Sequence, residues 1–144
     1  ILQSRMSFDD IEILDLFGGT GCISYELASR GAGKLTIIEK DPIMQAFIQK
    51  NIGTLQIEGA QVLKLDVFSY LNTCTSNYDF IFAGPPYALG TIDELPKIIV
   101  AKKLIRPGGF FVLEHTPRND YKTFEGYSFQ RNYGTTIFSF FVAT

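Results

Sequence analysis

The sequence predicts an α/β domain, a mostly parallel sheet flanked by helices and closed by a C-terminal antiparallel hairpin. Two observations predict the sheet and its helices. Short apolar runs alternate with stretches of helical periodicity, and turn-forming Gly and Pro residues stand at the joints. A third predicts the hairpin: from Tyr127 onward two β-rich runs follow one another with only Gly134-Thr135 between them.

Taken in order, Glu12 to Phe17 reads as a first strand and Thr20 to Ser29 as a helix, with Gly31 near its C-terminal end. Lys34 to Glu39 is a second strand. Asp41 is then placed as an N-cap with Pro42 at the first helical position, and the following helix carries Ile43, Met44, Phe47, Ile48 and Ile52 on one apolar face. Ala60 to Asp66 is expected as a third strand, Val67 to Asn72 as a short helix and Asp79 to Ala83 as a fourth strand. Ile92 to Leu104 is helical by pattern, Pro107-Gly108-Gly109 turns the chain, and Phe110 to Glu114 forms a fifth strand. Tyr127 to Tyr133 and Thr136 to Val142 make the hairpin, where a core and a strand's two faces account for Phe138, Phe140 and Phe141.

Composition narrows the function classes. With 144 residues, 46% of them apolar and 19% charged, the chain is expected to be one folded domain spanning 1–144, not a disordered segment. No apolar run approaches the roughly 18 residues that cross a bilayer, and no signal peptide is visible, so a cytoplasmic location is expected. Cys22 and Cys74 form no Cys-x-x-Cys pair, which predicts neither a disulfide framework nor a metal site. The net charge of −2 is a poor match to a free-standing nucleic-acid binder. Lys102, Lys103 and Arg106 cluster at one helix end, where complementing a helix dipole is favoured over RNA contact. The chain opens on Ile1-Leu2-Gln3 rather than Met and so reads as a fragment or as lacking an N-terminal segment.

Four strand ends carry chemistry. The first runs into Asp15-Leu16-Phe17-Gly18-Gly19-Thr20-Gly21, where glycines let the backbone turn sharply and approach a ligand. A dinucleotide fingerprint fails here, because its last glycine falls on Ser24. The second strand ends at Glu39, whose carboxylate can accept two hydrogen bonds from a ribose diol. The third ends at Asp66-Val67, where the acid is either a ligand acceptor or a helix cap. The fourth strand runs straight into Gly84-Pro85-Pro86-Tyr87, and tandem prolines make that exit a stiff, aimed loop. His115, the sole histidine, sits just past the fifth strand and reads as structural rather than catalytic.

The Asp-x-Phe-x-Gly-x-Gly run resembles motif I of Rossmann-like, class I S-adenosylmethionine-dependent methyltransferases, and the proline loop resembles their (Asp/Asn)-Pro-Pro-(Tyr/Phe) loop. Ser29-Arg30-Gly31-Ala32, Ile38-Glu39-Lys40-Asp41 and Tyr133-Gly134-Thr135-Thr136 are similar to segments of the RsmD-type 16S ribosomal RNA guanine-N2 methyltransferases of bacteria. The resemblance implies that Asp15, Phe17, Gly19, Gly21, Glu39, Lys40, Asp66 and Val67 bind S-adenosyl-L-methionine. It implies that the loop Gly84, Pro85, Pro86 and Tyr87 presents the base, Tyr87 by stacking on it. The partner it implies is 16S ribosomal RNA in a small-subunit assembly, without metal or membrane. Two departures stand out: the family's basic N-terminal segment is almost entirely missing, and Gly84 replaces its Asp. An exocyclic amine is a poor nucleophile until acceptors on its N–H groups localise its lone pair. Losing a charged acceptor costs about 1.5–3 kcal/mol, or roughly 10- to 150-fold in rate. Activity on another base or on DNA, a cofactor-binding domain with impaired catalysis, and an NAD oxidoreductase are the rival expectations; Ser24 counts against the last.

Overall fold

Seven strands form one sheet in the order β3-β2-β1-β4-β5-β7-β6. They are β1 (Glu12–Leu16), β2 (Lys34–Ile38), β3 (Ala60–Leu63), β4 (Tyr78–Ala83), β5 (Ile105–His115), β6 (Tyr127–Tyr133) and β7 (Thr136–Phe141). This computed structural model describes residues 11–18, 33–54, 59–86 and 88–144. The expected helix Thr20–Ser29 therefore lies outside the described residues. Strands β1 to β5 pair in parallel, whereas β7 runs antiparallel to both β5 and β6. The predicted α/β class and closing hairpin are both observed. Tyr133 pairs with Thr136, and Gly134 has φ +62° while Thr135 keeps a negative φ, so the two-residue turn is type II′.

Strand limits differ from the sequence reading for local reasons. Strand β1 stops one residue early because Phe17 takes φ +68°, which turns it off the sheet. Strand β3 stops at Leu63, not Asp66, because Leu65 N–H donates to the Leu63 carbonyl at 3.0 Å and closes a three-residue turn. Strand β5 begins five residues before Phe110, and Pro107-Gly108-Gly109 lies inside it as a bulge rather than at its start. Tyr78 faces Ile105 and Phe80 faces Phe110, so Asp79 of β4 alone stands against Arg106, Pro107, Gly108 and Gly109 of β5. Gly109 is obligatory in that bulge, since a Cβ there would lie 2.2 Å from the Asp79 carbonyl oxygen.

The described helices are α1 (Pro42–Thr54), α2 (Val67–Thr73) and α3 (Glu94–Ala101). Asp41 caps α1, its Oδ1 accepting from Ile43 N–H at 3.0 Å. Only part of the predicted apolar face turns inward. Ile48 and Ile52 are buried, but Ile43 is 82% and Phe47 50% exposed, because the i, i+4 strip 44-48-52 takes the sheet and the strip 43-47 rolls outward. Helix α3 is shorter than Ile92 to Leu104; Lys103, at φ +55°, marks where the chain has left it.

Two apolar layers cover the two faces of the sheet. On one, Leu14, Leu16, Ile81 and Phe111 pack with Leu71 of α2 and Leu95 and Ile99 of α3. On the other, Ile13, Ile37, Phe80, Phe110 and Phe140 pack with Ile48 and Ile52 of α1. Each fully buried side chain of this size contributes about 1.5–3 kcal/mol. At the end where β1, β4 and β5 begin, the Arg106 guanidinium meets Asp79 at 2.9 Å, Asn77 Oδ1 at 2.8 Å and Glu12 at 3.3 Å. Lys102 Nζ donates to the carbonyls of Leu71 and Asn72 at the C-terminal end of α2, at 2.7 and 2.8 Å. Lys102 thus meets a helix C-terminal end, as the dipole reading expects, whereas Arg106 pairs with carboxylates at the strand starts instead.

Candidate functional site

The strand order reverses between β1 and β4, which are neighbours in the sheet although 61 residues separate Leu16 and Tyr78. Parallel sheets open a crevice at the carboxyl ends of the strands at such a switch point. A cavity of about 580 Å³ lies there, lined by Phe17 beyond β1, Glu39 and Lys40 beyond β2, Asp66 to Phe68 at the start of α2, and Gly84 to Pro86 beyond β4. Each of these residues follows a strand that ends at the same level: Leu16 pairs with both Ile38 and Ala83, and Ile38 with Leu63.

The structure therefore brings together Phe17, Glu39, Lys40, Asp66, Val67, Gly84, Pro85 and Pro86. Asp15 sits apart from them, buried at 3% exposure on β1 between Ile37 and Phe82. Gly19, Gly21 and Tyr87 lie outside the described residues. Leu65, Phe68, Leu89 and Thr91 complete the wall and were missed by the motif reading, although each lies within a few residues of a motif position.

Glu39 is held on one side and given room on the other. Its Oε2 accepts from Asp41 N–H at 3.1 Å, and its Oε1 lies 3.0 Å from where a Cβ on Gly18 would project. The same Cβ would come within 2.8 Å of Ile48 Cδ1, so only glycine at position 18 leaves both side chains in place. Gly18 is a further missed position, detectable in the sequence as part of the run Gly18-Gly19-x-Gly21. Asp66 serves as the α2 cap, its Oδ2 accepting from Ser69 N–H at 3.1 Å, while its Oδ1 stands 3.9 Å from Lys40 Nζ at the exposed rim. Val67 N–H, in the first turn of α2, has no intrahelical acceptor. An apolar slot with a carboxylate at each edge suits a flat heterocycle joined to a sugar diol.

The proline loop closes the opposite wall. Pro86 accepts from Leu89 N–H at 2.9 Å, which holds the loop in a turn. A Cβ on Gly84 would lie 3.2 Å from the Phe82 ring and 3.5 Å from Glu114 Oε1. The next residue, His115, is 1% exposed and faces the core. Its Nδ1 lies 2.8 Å from the Thr116 carbonyl, which can only accept, so Nδ1 carries the proton and Nε2 accepts from the Ser139 hydroxyl at 2.7 Å. Burial pushes the His115 ring below the usual imidazole range, which keeps it neutral and structural. Its neighbour Tyr121 donates to Asp93 at 2.8 Å. Among the described residues no helix is long and apolar enough to cross a membrane.

Comparison with known proteins places this geometry in context. The family described as "Conserved hypothetical protein 95" matches residues 1–142. The Ribosomal RNA small subunit methyltransferase D of Escherichia coli is 32% identical over 85 residues, which is 59% of this chain and 43% of that protein. The chain spans about half the length of the first curated relatives that it matches. A conserved hypothetical protein of Streptococcus pyogenes superposes with a TM-score of 0.85 at 28% identity, over 95% of this chain and 88% of its own. A 16S rRNA N2 methyltransferase of T. thermophilus, solved with AdoMet and guanosine, superposes with a TM-score of 0.78 at 26% identity, over 99% of this chain and 41% of its own.

Proposed function

The chain belongs to the Conserved hypothetical protein 95 family, and we propose that it transfers a methyl group from S-adenosylmethionine to N2 of a guanine in 16S ribosomal RNA. The observation that carries this reading is the single cleft joining Glu39 and Asp66 to the Gly84–Pro86 loop. The names of the E. coli relative and of the T. thermophilus neighbour, the latter solved with both AdoMet and guanosine, support it. Residues 1–144 are taken as one domain bearing this activity.

The cleft residues fit the cofactor. Glu39 accepts from the ribose hydroxyls, Asp66 from the adenine amine, and Val67 N–H donates to a ring nitrogen. Phe17 and Phe68 supply the apolar walls and Lys40 borders Asp66 at the rim; the amino-acid end is assigned, by the motif alone, to Asp15, Gly19 and Gly21. When bound, S-adenosylmethionine supplies a methyl carbon activated by a sulfonium, and the carbon–sulfur bonding pair returns to sulfur. The chain's own part is positional. Pro85 and Pro86 stiffen the loop, Tyr87 stacks on the base, and the carbonyls of Gly84 and Pro85 accept from the exocyclic amine. Unstacking the base from paired RNA costs a few kcal/mol, which favours an incompletely assembled small subunit as substrate.

The test offers labelled S-adenosylmethionine and the chain to small subunits that lack the modification, followed by nuclease digestion. Label in N2-methylguanosine is expected, and Glu39→Ala is expected to remove it. Cofactor binding without label in RNA would overturn the substrate assignment. It would favour the second reading, to which the absent side chain at Gly84 points: a cofactor-binding domain with impaired catalysis.

A further inference from the structure

Gly84 removes a side chain at the place where the base amine would need an acceptor, yet the space beside it holds a carboxylate. Glu114 Oε1 lies 3.5 Å from the position a Cβ on Gly84 would take. The register explains why. Ala83 of β4 pairs with Leu113 of β5, so Gly84 and Glu114 are the next residues along two adjacent parallel strands. Such strands are about 4.8 Å apart, a gap that the two methylenes of Glu114 bridge. Side chains alternate along β5, and His115 points into the core toward Ser139, so the half-buried Glu114 projects to the other face of the sheet.

We infer that Glu114 is a further catalytic residue, whose carboxylate reaches across from β5 to accept a hydrogen bond from the exocyclic amine of the base held at the Gly84–Pro86 loop. The inference rests on the methyl-transfer reading above. With the Gly84 and Pro85 carbonyls it completes the acceptor set that localises the nitrogen lone pair. As that nitrogen bonds the methyl carbon, the carbon–sulfur pair stays with sulfur and the proton shed by the nitrogen passes to Glu114. The acid that a residue at 84 would supply from its own strand comes instead from the adjacent one.

The decisive measurement compares guanosine with inosine, which lacks the exocyclic amine, by calorimetry on chain saturated with S-adenosylhomocysteine. The parent is expected to prefer guanosine about tenfold, from one charge-assisted hydrogen bond. Glu114→Leu is expected to reduce that preference to within twofold and to lower kcat roughly 10- to 150-fold. Its affinity for S-adenosylhomocysteine should stay at the parent value. Adding Gly84→Asp to Glu114→Leu should restore the preference, whereas Gly84→Asp alone puts two carboxylates in contact and should bring no gain. If Glu114→Leu does not fold, Glu114→Gln keeps the shape and should lower kcat about tenfold at unchanged cofactor affinity. An undiminished guanosine preference in the Leu variant, or unchanged kcat in the Gln variant, would overturn the inference. Absence of a preference in the parent would do the same. A Glu114-dependent preference without methylation of ribosomal RNA would sink only the RNA assignment. Transfer to RNA that ignores Glu114 would sink only the role given to Glu114.

Discussion

Gly18 and Glu39 show how a site can depend on an atom that is missing. A methyl group on Gly18 would meet Ile48 Cδ1 at 2.8 Å and Glu39 Oε1 at 3.0 Å, and Ile48 is fixed in the core. Gly18→Ala is therefore expected to displace the Glu39 carboxylate and lower S-adenosylmethionine affinity about tenfold or more, the worth of one charge-assisted bond. Calorimetry on a variant shown to be folded checks this; unchanged affinity would mean that the side-chain ends of Glu39 and Ile48 shift to admit the methyl without cost to binding. His115 gives a pH prediction. Burial lowers its folded pKa below the ordinary 6.5, so the unfolded chain takes up a proton first as the pH falls. Its stabilising contribution is complete above about pH 6.5 and is lost as the pH drops from there toward the folded value. The drop in melting temperature between pH 7.5 and pH 5 should be smaller in His115→Gln. A structural role for His115 was legible from its place at a strand end, but its partner was not, since Ser139 lies 24 residues away in the chain.

At the scale of elements, Asp66 does two jobs that substitution can separate. It caps α2 through Ser69 N–H and faces the cleft at the same time. Asn caps as well as Asp, so Asp66→Asn should keep stability, whereas Asp66→Ala should cost about 1 kcal/mol. Both should weaken cofactor binding, and a melt paired with a binding isotherm for each variant separates the two effects. Equal melting temperatures for Asn and Ala variants would show that the cap carries no stability. Helix α1 marks where sequence periodicity reached its limit. Its start was legible because Asp41-Pro42 is a local signal. Its buried strip was not, because strips 43-47 and 44-48-52 are both apolar and only the sheet decides between them. The β5 bulge was hidden for a similar reason: Pro107-Gly108-Gly109 looks like a turn until Asp79 is known to lie against it.

Across the whole molecule, the Arg106 ion-pair cluster and the cleft sit at opposite ends of the sheet. Arg106 ties the beginnings of β1, β4 and β5 through Glu12 and Asp79, while the cleft occupies their far ends. Arg106→Met is expected to cost about 1 kcal/mol, a melting shift of about 4 °C for a domain of this size, with cofactor affinity unchanged. A parallel loss of affinity would show that the two ends are coupled. The alternation of strands and helices made the fold class legible, and the strand-end acids together with the proline loop marked much of the cleft. Strand order was not written in any local pattern, because the pairing of β1 with β4 is a long-range choice. Glu114 stayed hidden for that reason, as its nearness to Gly84 exists only once β4 and β5 are aligned.

The place of β7 has a consequence for how the protein is made. Strand β6 is synthesised before β7, yet among the described strands it pairs with β7 alone, which lies between it and β5. A nascent chain that has reached Tyr133 has a β5 with one open edge and a β6 with nothing to pair with, the condition in which exposed strands recruit other chains. Until β7 is made, neither that edge of β5 nor β6 has the neighbour it pairs with in the sheet. Glu114 pairs with Phe138 of β7, so the segment that carries the carboxylate beside Gly84 gains its second neighbouring strand only with the last strand of the sheet.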